Sequence, residues 1–419
     1  MHSNLSQLID ILKKIDNNYS RIFYAKATQF RIMNKDTTTT KGKLQQLIET
    51  TGGKHAPDRR VEVYSIEAIE CDDAIQLKGE TTSTAALKEL ASAAKSIAPH
   101  IEIDIGTLPR EAIGECCWGI VYNSVASLHS QPSHKSDIVS QLLLGMPVKV
   151  LDKLEDWLRI QAPEGYIGWV SGSIERMNRK ELQARLEKPT IIVTCQYAKS
   201  YSKADIHSQS VSDIVIGNIF TLNDKEDNFY KVIYPDGRVA FIEKQSAQEV
   251  NSWLRGIELT GKSIINTAKQ LMGVPYVWGG TSSKGLDCSG FTKTIYWLHG
   301  IIIPRDASQQ VLCGVDVDSE GDFEKMQKGD LVFFGTKASH ESGKEKVVHV
   351  GIYIGNKQFI HAHDYIRIGS FNPDDKLFDQ FNTNRYLRTM RYIGYQGIAG
   401  ITPILEHPFY SKISLTDDK

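Results

Sequence analysis

The sequence predicts an α+β chain in which two small all-β barrels stand between a short β-α-β unit and a larger mixed domain. The barrels are predicted by an ungapped internal repeat, because residues 139–170 match residues 211–242 at a constant offset of 72 positions. Hydrophobic residues at strand and helix spacings predict the unit before them and the domain after them. With 419 residues, 41% of them hydrophobic, the chain is long enough for about two to four domains.

The repeat is anchored by turn and core residues. Gly145 matches Gly217, and Trp157 matches Phe229. Each copy reads as short alternating strands joined by acid-Gly turns, which is typical of a small barrel. The predicted boundaries are 1–56 for a helical and polar segment, 57–112 for the β-α-β unit, 117–172 and 187–246 for the barrels, 261–395 for the α+β domain and 396–419 for a tail. Between the barrels, residues 174–188 are charged and predict a helical connector.

Composition narrows the classes of partner. The net charge is −1, so no excess of Lys or Arg is available for nucleic acid or an anionic membrane, and neither is expected as a partner. The six cysteines form no CxxC pair and lack the density of a disulfide scaffold. Most of them are therefore expected to be buried thiols.

The first residues favour a cytoplasmic location. Leu8, Leu12 and Ile15 recur at helical spacing with charges between them, and no continuous apolar stretch forms a secretory signal. We expect a cytoplasmic protein, or a periplasmic or cell-envelope protein if a leader was removed. No run of the sequence is long enough to insert into a membrane.

Cys288 is the candidate nucleophile. A helix with Ile264, Ala268 and Leu271 on one face runs into a turn-rich segment, and the next helix begins at Asp287-Cys288. Cys288 is then in the first turn, near the positive end of the helix dipole. That position is expected to lower the thiol pKa from about 8.5 and to favour the thiolate.

Two histidines are the candidate partners of the thiol. Residues 348–354 and 358–362 read as a hairpin whose three-residue loop places Ile354 opposite Gln358. His349 and His361 then project from one sheet face as diagonal neighbours. His363 shares that face and stays open as an alternative. A helix-borne Cys, a strand-borne His and a second residue that orients this His form a papain-like arrangement, so the hypothesis is a Cys288-His349-His361 triad.

Other interpretations of these residues remain open. A buried cysteine at a helix start is often inert packing. One cysteine and two histidines also suit zinc, although no fourth ligand can be placed. Aromatic residues such as Tyr276 and Trp278 are more often core residues than substrate contacts.

The C-terminal domain resembles the NlpC-type cell-wall cysteine peptidases, and the barrels resemble bacterial SH3-like domains. Residues from about 117 to 395 are together similar to the γ-D-glutamyl-L-diamino acid endopeptidases, also called dipeptidyl-peptidase VI. Five ordered motifs carry the resemblance: residues 275–280, 287–291, 304–310, 329–334, and 349–353 followed by 359–362. It implies a papain-like domain in which Cys288 is the nucleophile, His349 the base and acid, and His361 the residue that orients it, with Tyr276 near the oxyanion.

The resemblance also implies a specificity pocket. Its residues would be Asp287 for a free α-ammonium, Ser289, and Arg305 for the free α-carboxylate of a γ-linked D-Glu. The first barrel would close the pocket from one side. Tyr166 is its candidate contact, because its repeat mate is Arg238, and a turn tyrosine packed on Trp169 is the alternative. Asp137 is a candidate acid of the same barrel.

The expected activity follows from these roles. It is hydrolysis of the γ-D-Glu–diamino acid bond of peptidoglycan stem peptides that carry a free N-terminal L-Ala, without metal or organic cofactor. An inert peptidoglycan-binding protein and a lipid acyltransferase are the alternatives from other classes. The sequence leaves open diaminopimelate or Lys at the third peptide position, the oligomeric state, and the roles of residues 1–56 and of the charged segment 336–346.

Overall fold

The computed structural model describes residues 39–71, 74–338, 343 and 345–410. The helix expected around Leu8, Leu12 and Ile15 is outside these residues. The described chain divides into two compact units, with the boundary between Leu108 and Pro109. None of the helices in the described ranges is both long and apolar enough to span a bilayer.

Within the described residues, the first unit comprises a three-stranded sheet and two helices. Its elements are α1 (Thr40–His55), β1 (Tyr64–Cys71), β2 (Ala74–Thr81), α2 (Thr84–Ile97) and β3 (Glu102–Thr107). β2 and β3 are parallel and joined by α2, so the β-α-β expectation is confirmed. The boundary drawn at residue 56 is corrected, because Leu44 and Ile48 of α1 share the buried core of Leu77 and Leu90.

The repeat corresponds to two seven-stranded sheets of the same topology. In the first barrel the strands are β4 (Trp118–Val121), β5 (Val125–His129), β6 (Ile138–Leu143), β7 (Pro147–Leu154), β8 (Trp157–Gln161), β9 (Ile167–Ser171) and β10 (Ile174–Met177). In the second they are β11 (Thr190–Val193), β12 (Tyr197–Tyr201), β13 (Ser210–Val215), β14 (Ile219–Glu226), β15 (Phe229–Ile233), β16 (Val239–Glu243) and β17 (Ala247–Glu249). The strand orders are β10-β4-β7-β8-β9-β5-β6 and, read from the other edge, β17-β11-β14-β15-β16-β12-β13.

Both barrels extend beyond the boundaries expected from sequence. β10 lies in the segment 174–188 that was expected to be helical, and it pairs with β4 because Ile174 and Met177 are apolar and become buried. Only α3 (Arg179–Leu186) of that segment is a helix. The second barrel likewise closes with β17, which pairs with β11 after residue 246. Helix α4 (Val250–Gly256) then leads to the last domain.

The last domain is a six-stranded sheet packed against helices. Its elements are α5 (Gly261–Gln270), β18 (Thr281–Ser282), β19 (Gly285–Leu286), α6 (Cys288–Trp297), β20 (Ile301–Ile302), α7 (Ala307–Gln310), β21 (Val315–Asp318), β22 (Leu331–Thr336), β23 (Lys346–Gly355), β24 (Gln358–Ala362), β25 (Ile366–Ser370), α8 (Gln380–Asn384), β26 (Tyr386–Arg391) and β27 (Thr402–Pro403). The sheet order is β21-β26-β22-β23-β24-β25, and α6 belongs to the core that this sheet covers.

Two details of this domain differ from the sequence expectation. The segment from residue 396 is not wholly a tail, because β27 pairs with β20, and Ile401 and Ile404 are buried. The hairpin β23–β24 has a two-residue turn, with Gly355 opposite Gln358 in place of Ile354. A register shift between Tyr353 and Gly355 restores the expected pairing of Ile352 with Ile360, so His349 and His361 keep their common face.

We predict that truncating Leu331 destabilises the last domain. Leu331 is fully buried on β22, next to the strand of His349, so Leu331→Ala is expected to cost about 2–5 kcal/mol of unfolding free energy through lost burial and a cavity. Urea unfolding followed by circular dichroism measures this change. Leu312→Ala is the matched control, because Leu312 is 81% exposed and its loss is expected to cost within about 0.5 kcal/mol. Equal midpoints for the two variants would contradict the packing described.

Candidate active site

Helix α6 begins where Asp287 caps it. The Asp287 carboxylate accepts the Gly290 N–H at 2.7 Å and, through its other oxygen, the Gly279 N–H at 3.0 Å. It therefore ties the preceding loop to the helix start. Gly290 is required here, because a Cβ on it would lie 1.9 Å from the Gly280 carbonyl oxygen. The motif at residues 287–290 thus presents Cys288 in the first turn of a ten-residue helix, as expected.

The Cys288 sulfur is buried, with 8% of the residue exposed. Burial and the nearby Asp287 charge raise the thiol pKa to about 12, while Arg305 and backbone hydrogen bonds from Ser289 and Val350 act in the opposite direction. The expectation that the helix start lowers this pKa is therefore wrong, because desolvation of the thiolate outweighs the dipole. The free site holds a neutral thiol, and the thiol must lose its proton to a base during attack.

The histidines come together as the hairpin predicts. His349 Nε2 and His361 Nδ1 are 2.8 Å apart, and the two rings meet edge to face. The Val350 N–H that reaches the Cys288 sulfur belongs to the residue next to His349. The ring of His363, the alternative left open, lies with its centroid 6.4 Å from that of His349. His349 and His361 are therefore the bonded imidazole pair beside the thiol.

Both imidazoles are neutral near pH 7. Burial lowers the pKa of His349 well below 6.5, and the positive charges of Arg385 and Arg367 reinforce the effect. Burial also lowers the pKa of His361, and Asp379 is its one neighbour that raises it. A neutral His349 can accept the proton of the thiol, which is what general-base catalysis requires.

Arg305 and Asp287 form a buried ion pair. Arg305 is 2% exposed, and its Nη1 donates to Asp287 Oδ1 at 3.1 Å and to Ser289 Oγ at 3.0 Å, while Nη2 donates to Asp287 Oδ2. The predicted pocket residues Asp287, Ser289 and Arg305 are thus in mutual contact beside Cys288. The Nε of Arg305 is buried and has no hydrogen-bond partner in the described part of the chain.

Tyr166 brings the first barrel to this pocket. Its hydroxyl donates to Asp306 at 3.3 Å, and its charge state influences the neighbouring Arg305. The repeat mate Arg238 instead stacks on Tyr234 and donates to the Tyr122 carbonyl of the first barrel. The two copies have therefore diverged in what they contact. Asp137 is exposed immediately before β6, and its role stays a prediction.

Two aromatic residues lie in the segment that precedes the nucleophile helix. Tyr276 is half-buried against the core, and burial raises its pKa above 10, with the Cys288 charge as the second cause. Its hydroxyl therefore stays protonated and can donate a hydrogen bond. Trp278 is 71% exposed, so the alternative that it is a core residue is wrong.

The first barrel is fixed to the segment that precedes the nucleophile. Gln141 Oε1 accepts the Thr281 N–H at 3.0 Å and the Ser282 hydroxyl at 2.9 Å. Lys284 also bridges both barrels, because it pairs with Asp213 and donates to Ser124. These contacts hold the pocket wall that carries Tyr166 against the catalytic domain.

Sequence reasoning missed a buried ion pair behind the nucleophile helix. Lys293 of α6 pairs with Glu164 of the first barrel at 3.0 Å, and the Glu164 side chain is 1% exposed. The sequence indicated Glu164 only as part of a turn matched by Asp236, which is exposed in the second copy. Lys293 within an otherwise apolar helix was the available signal, because a buried lysine needs a charged partner.

The arrangement defines a class of protein. A thiol at a helix start, a neutral imidazole pair on the adjacent strands and an amide-lined helix terminus are the parts of a papain-like cysteine peptidase. In the described ranges, no three His, Cys, Asp or Glu side chains converge as metal ligands.

Comparisons with known proteins agree with this class. The NlpC/P60 family model matches residues 273–388, and the bacterial SH3 domain model matches residues 124–174. A gamma-D-glutamyl-L-lysine dipeptidyl-peptidase of Bacillus cereus is 34% identical over 266 residues, which cover 61% of this chain and 77% of that protein. The chain belongs to the NlpC/P60 family of cysteine peptidases.

The alignment with this chain covers nearly the whole length of two further relatives. Dipeptidyl-peptidase 6 of Lysinibacillus sphaericus is 26% identical over 270 residues, which cover 62% of this chain and 94% of that protein. A crystal structure of an NlpC/P60 family protein from Bacillus cereus superposes with a TM-score of 0.55 and 29% identity, over 66% of this chain and 99% of that one. The aligned part of this chain therefore shares the fold of that protein.

We predict that Arg305→Ala strongly destabilises the second unit. The change leaves the Asp287 carboxylate buried without its cation, which is expected to cost about 3–5 kcal/mol. Chemical unfolding monitored by tryptophan fluorescence measures it. Arg388→Ala is the control, since Arg388 pairs with Asp316 and Glu345 at a partly exposed site and should contribute about 1 kcal/mol or less. A loss for Arg305→Ala no larger than for Arg388→Ala would show that the pair is solvated.

We also predict an acidic limb of kcat/KM below pH 6.5. His349 must be neutral to act as a base, and because burial and nearby cations lower its pKa, it stays neutral as the pH falls through 6.5. Initial rates of peptide hydrolysis between pH 4 and 9 measure the limb. A midpoint above 6.5 would contradict this prediction, because it would mean that the free site stabilises an imidazolium.

Proposed function

We propose that this chain is a cysteine endopeptidase that hydrolyses the γ-D-Glu–diamino acid bond of peptidoglycan-derived peptides with a free N-terminal L-Ala and releases L-Ala-D-Glu. The observation that carries the proposal is the buried Arg305 beside the nucleophile. Its Nη atoms hold Asp287 and Ser289, while its buried Nε lacks a partner among the described residues.

The free edge of Arg305 suits the substrate that we propose. A γ-linked D-Glu keeps its α-carboxylate free, and the Nε side of a guanidinium binds a carboxylate as a planar fork. An α-linked glutamate offers no such group next to the scissile bond. The names of two relatives, a gamma-D-glutamyl-L-lysine dipeptidyl-peptidase and a dipeptidyl-peptidase 6, support the same bond and the same dipeptide product.

The proposed reaction has two halves. His349 takes the thiol proton as the Cys288 sulfur attacks the γ-carbonyl carbon, and the Ser289 N–H and the Tyr276 hydroxyl donate to the oxyanion. The C–N bond breaks, the diamino acid leaves with the proton from His349, and a thioester remains on Cys288. Water activated by His349 then hydrolyses the thioester and restores the thiol. His361 orients His349 throughout.

We propose that the end of the pocket near Asp287 binds the N-terminus of the substrate. Asp287 is 6% exposed and already accepts hydrogen bonds from Arg305, Gly279 and Gly290. The ammonium of the substrate would therefore form an additional ion pair with a carboxylate that is already paired. Tyr166 of the first barrel lies at this end, where its hydroxyl donates to Asp306, and we propose that the barrel limits the length of the substrate on this side. A free L-Ala amine occurs on peptides already released from glycan, which suits recycling in the cytoplasm.

A digest of defined peptides tests the proposal. We expect L-Ala-γ-D-Glu-meso-diaminopimelate to yield L-Ala-D-Glu, and its N-acetylated copy to be cut at least roughly a hundredfold more slowly, because acetylation removes the ammonium that we propose pairs with Asp287. Mass spectrometry of the products measures both reactions. The Lys-containing tripeptide, run in parallel, decides the third position.

Variants identify the nucleophile in the same assay. Cys288→Ala is expected to lose all measurable hydrolysis, whereas Cys313→Ala, which removes another buried thiol, should retain most of it. Equal cleavage by Cys288→Ala would refute the nucleophile, and equal cleavage of the acetylated peptide would refute recognition of the free amine. Loss of activity with chelators would point to zinc, and lipid deacylation without peptide cleavage would point to acyl transfer.

A further inference from the structure

The second histidine of the pair faces an acid that the triad does not include. His361 is fully buried, and its Nδ1 is bonded to His349 Nε2 at 2.8 Å. Its other nitrogen, Nε2, has no hydrogen-bond partner among the residues that the structure describes. That nitrogen is 3.7 Å from Oδ2 of Asp379, whose side chain is 11% exposed.

Asp379 is held in place by its own helix. It caps α8, where its Oδ1 accepts the Asn382 N–H at 2.9 Å and its Oδ2 accepts the Asn382 side-chain amide at 2.6 Å. Asn382 is fully buried, and its Oδ1 in turn accepts Arg385 Nε at 3.0 Å and Nη2 at 2.8 Å. The backbone N–H of Asp379 donates to Ser370 at the end of β25. The carboxylate therefore approaches His361 from a rigid position.

Asp379 is opposite in charge to the other groups around His361. The other charged or titratable groups that act on this ring are Arg367, Arg385, His363 and His349, and each is a cation or becomes one on protonation. Asp379 is instead an anion, and it is the largest charge effect that raises the pKa of this ring. A buried imidazole in this setting directs its N–H toward the carboxylate, because a lone pair pointing there would be repelled.

We propose that Asp379 is a positioning residue that holds the proton of His361 on Nε2. His361 Nδ1 is then an acceptor, so it takes the N–H on Nε2 of His349 and leaves Nδ1 of His349 as the nitrogen that can receive the thiol proton. The opposite tautomer of His361 would reverse the bond and place a proton on His349 Nδ1, where no base would remain. The separation of 3.7 Å is longer than a hydrogen bond, as catalytic contacts often are before substrate binds.

This inference rests on the proposed function, but its test includes a readout that needs no substrate. Asp379→Asn removes the charge and keeps a side chain that can cap the helix. Asp379→Ser also removes the charge and can cap the helix, but its side chain is smaller. Asp375→Asn is the matched control, because Asp375 lies in the same loop and bonds Gln358 and the Leu377 N–H, away from the imidazoles. Thermal unfolding of each full-length variant verifies the fold.

In the peptide assay, Asp379→Asn is expected to lower kcat on the order of tenfold to a hundredfold with KM within about twofold, because the base is present but in the wrong tautomer. The acidic limb of kcat should move to lower pH, since the carboxylate that favours the protonated imidazole is gone. In a His361→Gln background, adding Asp379→Asn should change kcat less than about twofold, because Asp379 acts through His361.

The substrate-free readout is the rate at which iodoacetamide alkylates Cys288, followed by mass spectrometry. We expect Asp379→Asn and Asp379→Ser to slow this rate severalfold at neutral pH, and Asp375→Asn to leave it unchanged. An alkylation rate and pH limb that match the Asp375→Asn control would overturn the proposal. So would an equal loss in the His361→Gln background, which would indicate a structural role only. If the wild type cut no peptide, the proposed function would fail while the alkylation rates would still decide the role of Asp379.

Discussion

The buried pair of Asp287 and Arg305 is the interaction on which the rest of the site depends. One carboxylate caps the nucleophile helix, fixes the loop at Gly279 and neutralises a guanidinium that is itself almost inaccessible to water. Burying two charges costs several kcal/mol each, and only this density of hydrogen bonds offsets it. The result is a nucleophile held next to a buried cation whose Nε has no hydrogen-bond partner among the described residues.

Desolvation also sets the protonation states of the catalytic groups. The same burial that raises the Cys288 pKa lowers that of His349, so both are neutral before substrate arrives. The thiol therefore needs a base to accept its proton when it attacks. A neutral pair costs less to bury than a thiolate and an imidazolium, and this explains how a site this closed can be stable.

The barrels contribute to the site through differences between two copies of one fold. The two barrels have the same strand order, but they differ at equivalent turn positions. These positions hold Tyr166 and Glu164 in the first copy and Arg238 and Asp236 in the second. The first pair contacts the catalytic domain at Asp306 and Lys293, whereas Arg238 joins the two barrels. Repetition of a stable core thus left surface turns free to acquire separate roles.

The sequence by itself determined the repeat, the α+β class, the helix start at Cys288 and the common face of His349 and His361, because these depend on local periodicity and on hairpin register. It did not determine the last strands of each barrel, the packing of α1 on the first sheet or the turn at Gly355, where burial and twist override local pattern. Only the tertiary structure decided the direction of the Cys288 pKa, the mutual pairing of Asp287 with Arg305, and the approach of Glu164 and Asp379 to their partners. Those outcomes depend on which distant groups exclude water from one another, and no short stretch of sequence contains that information.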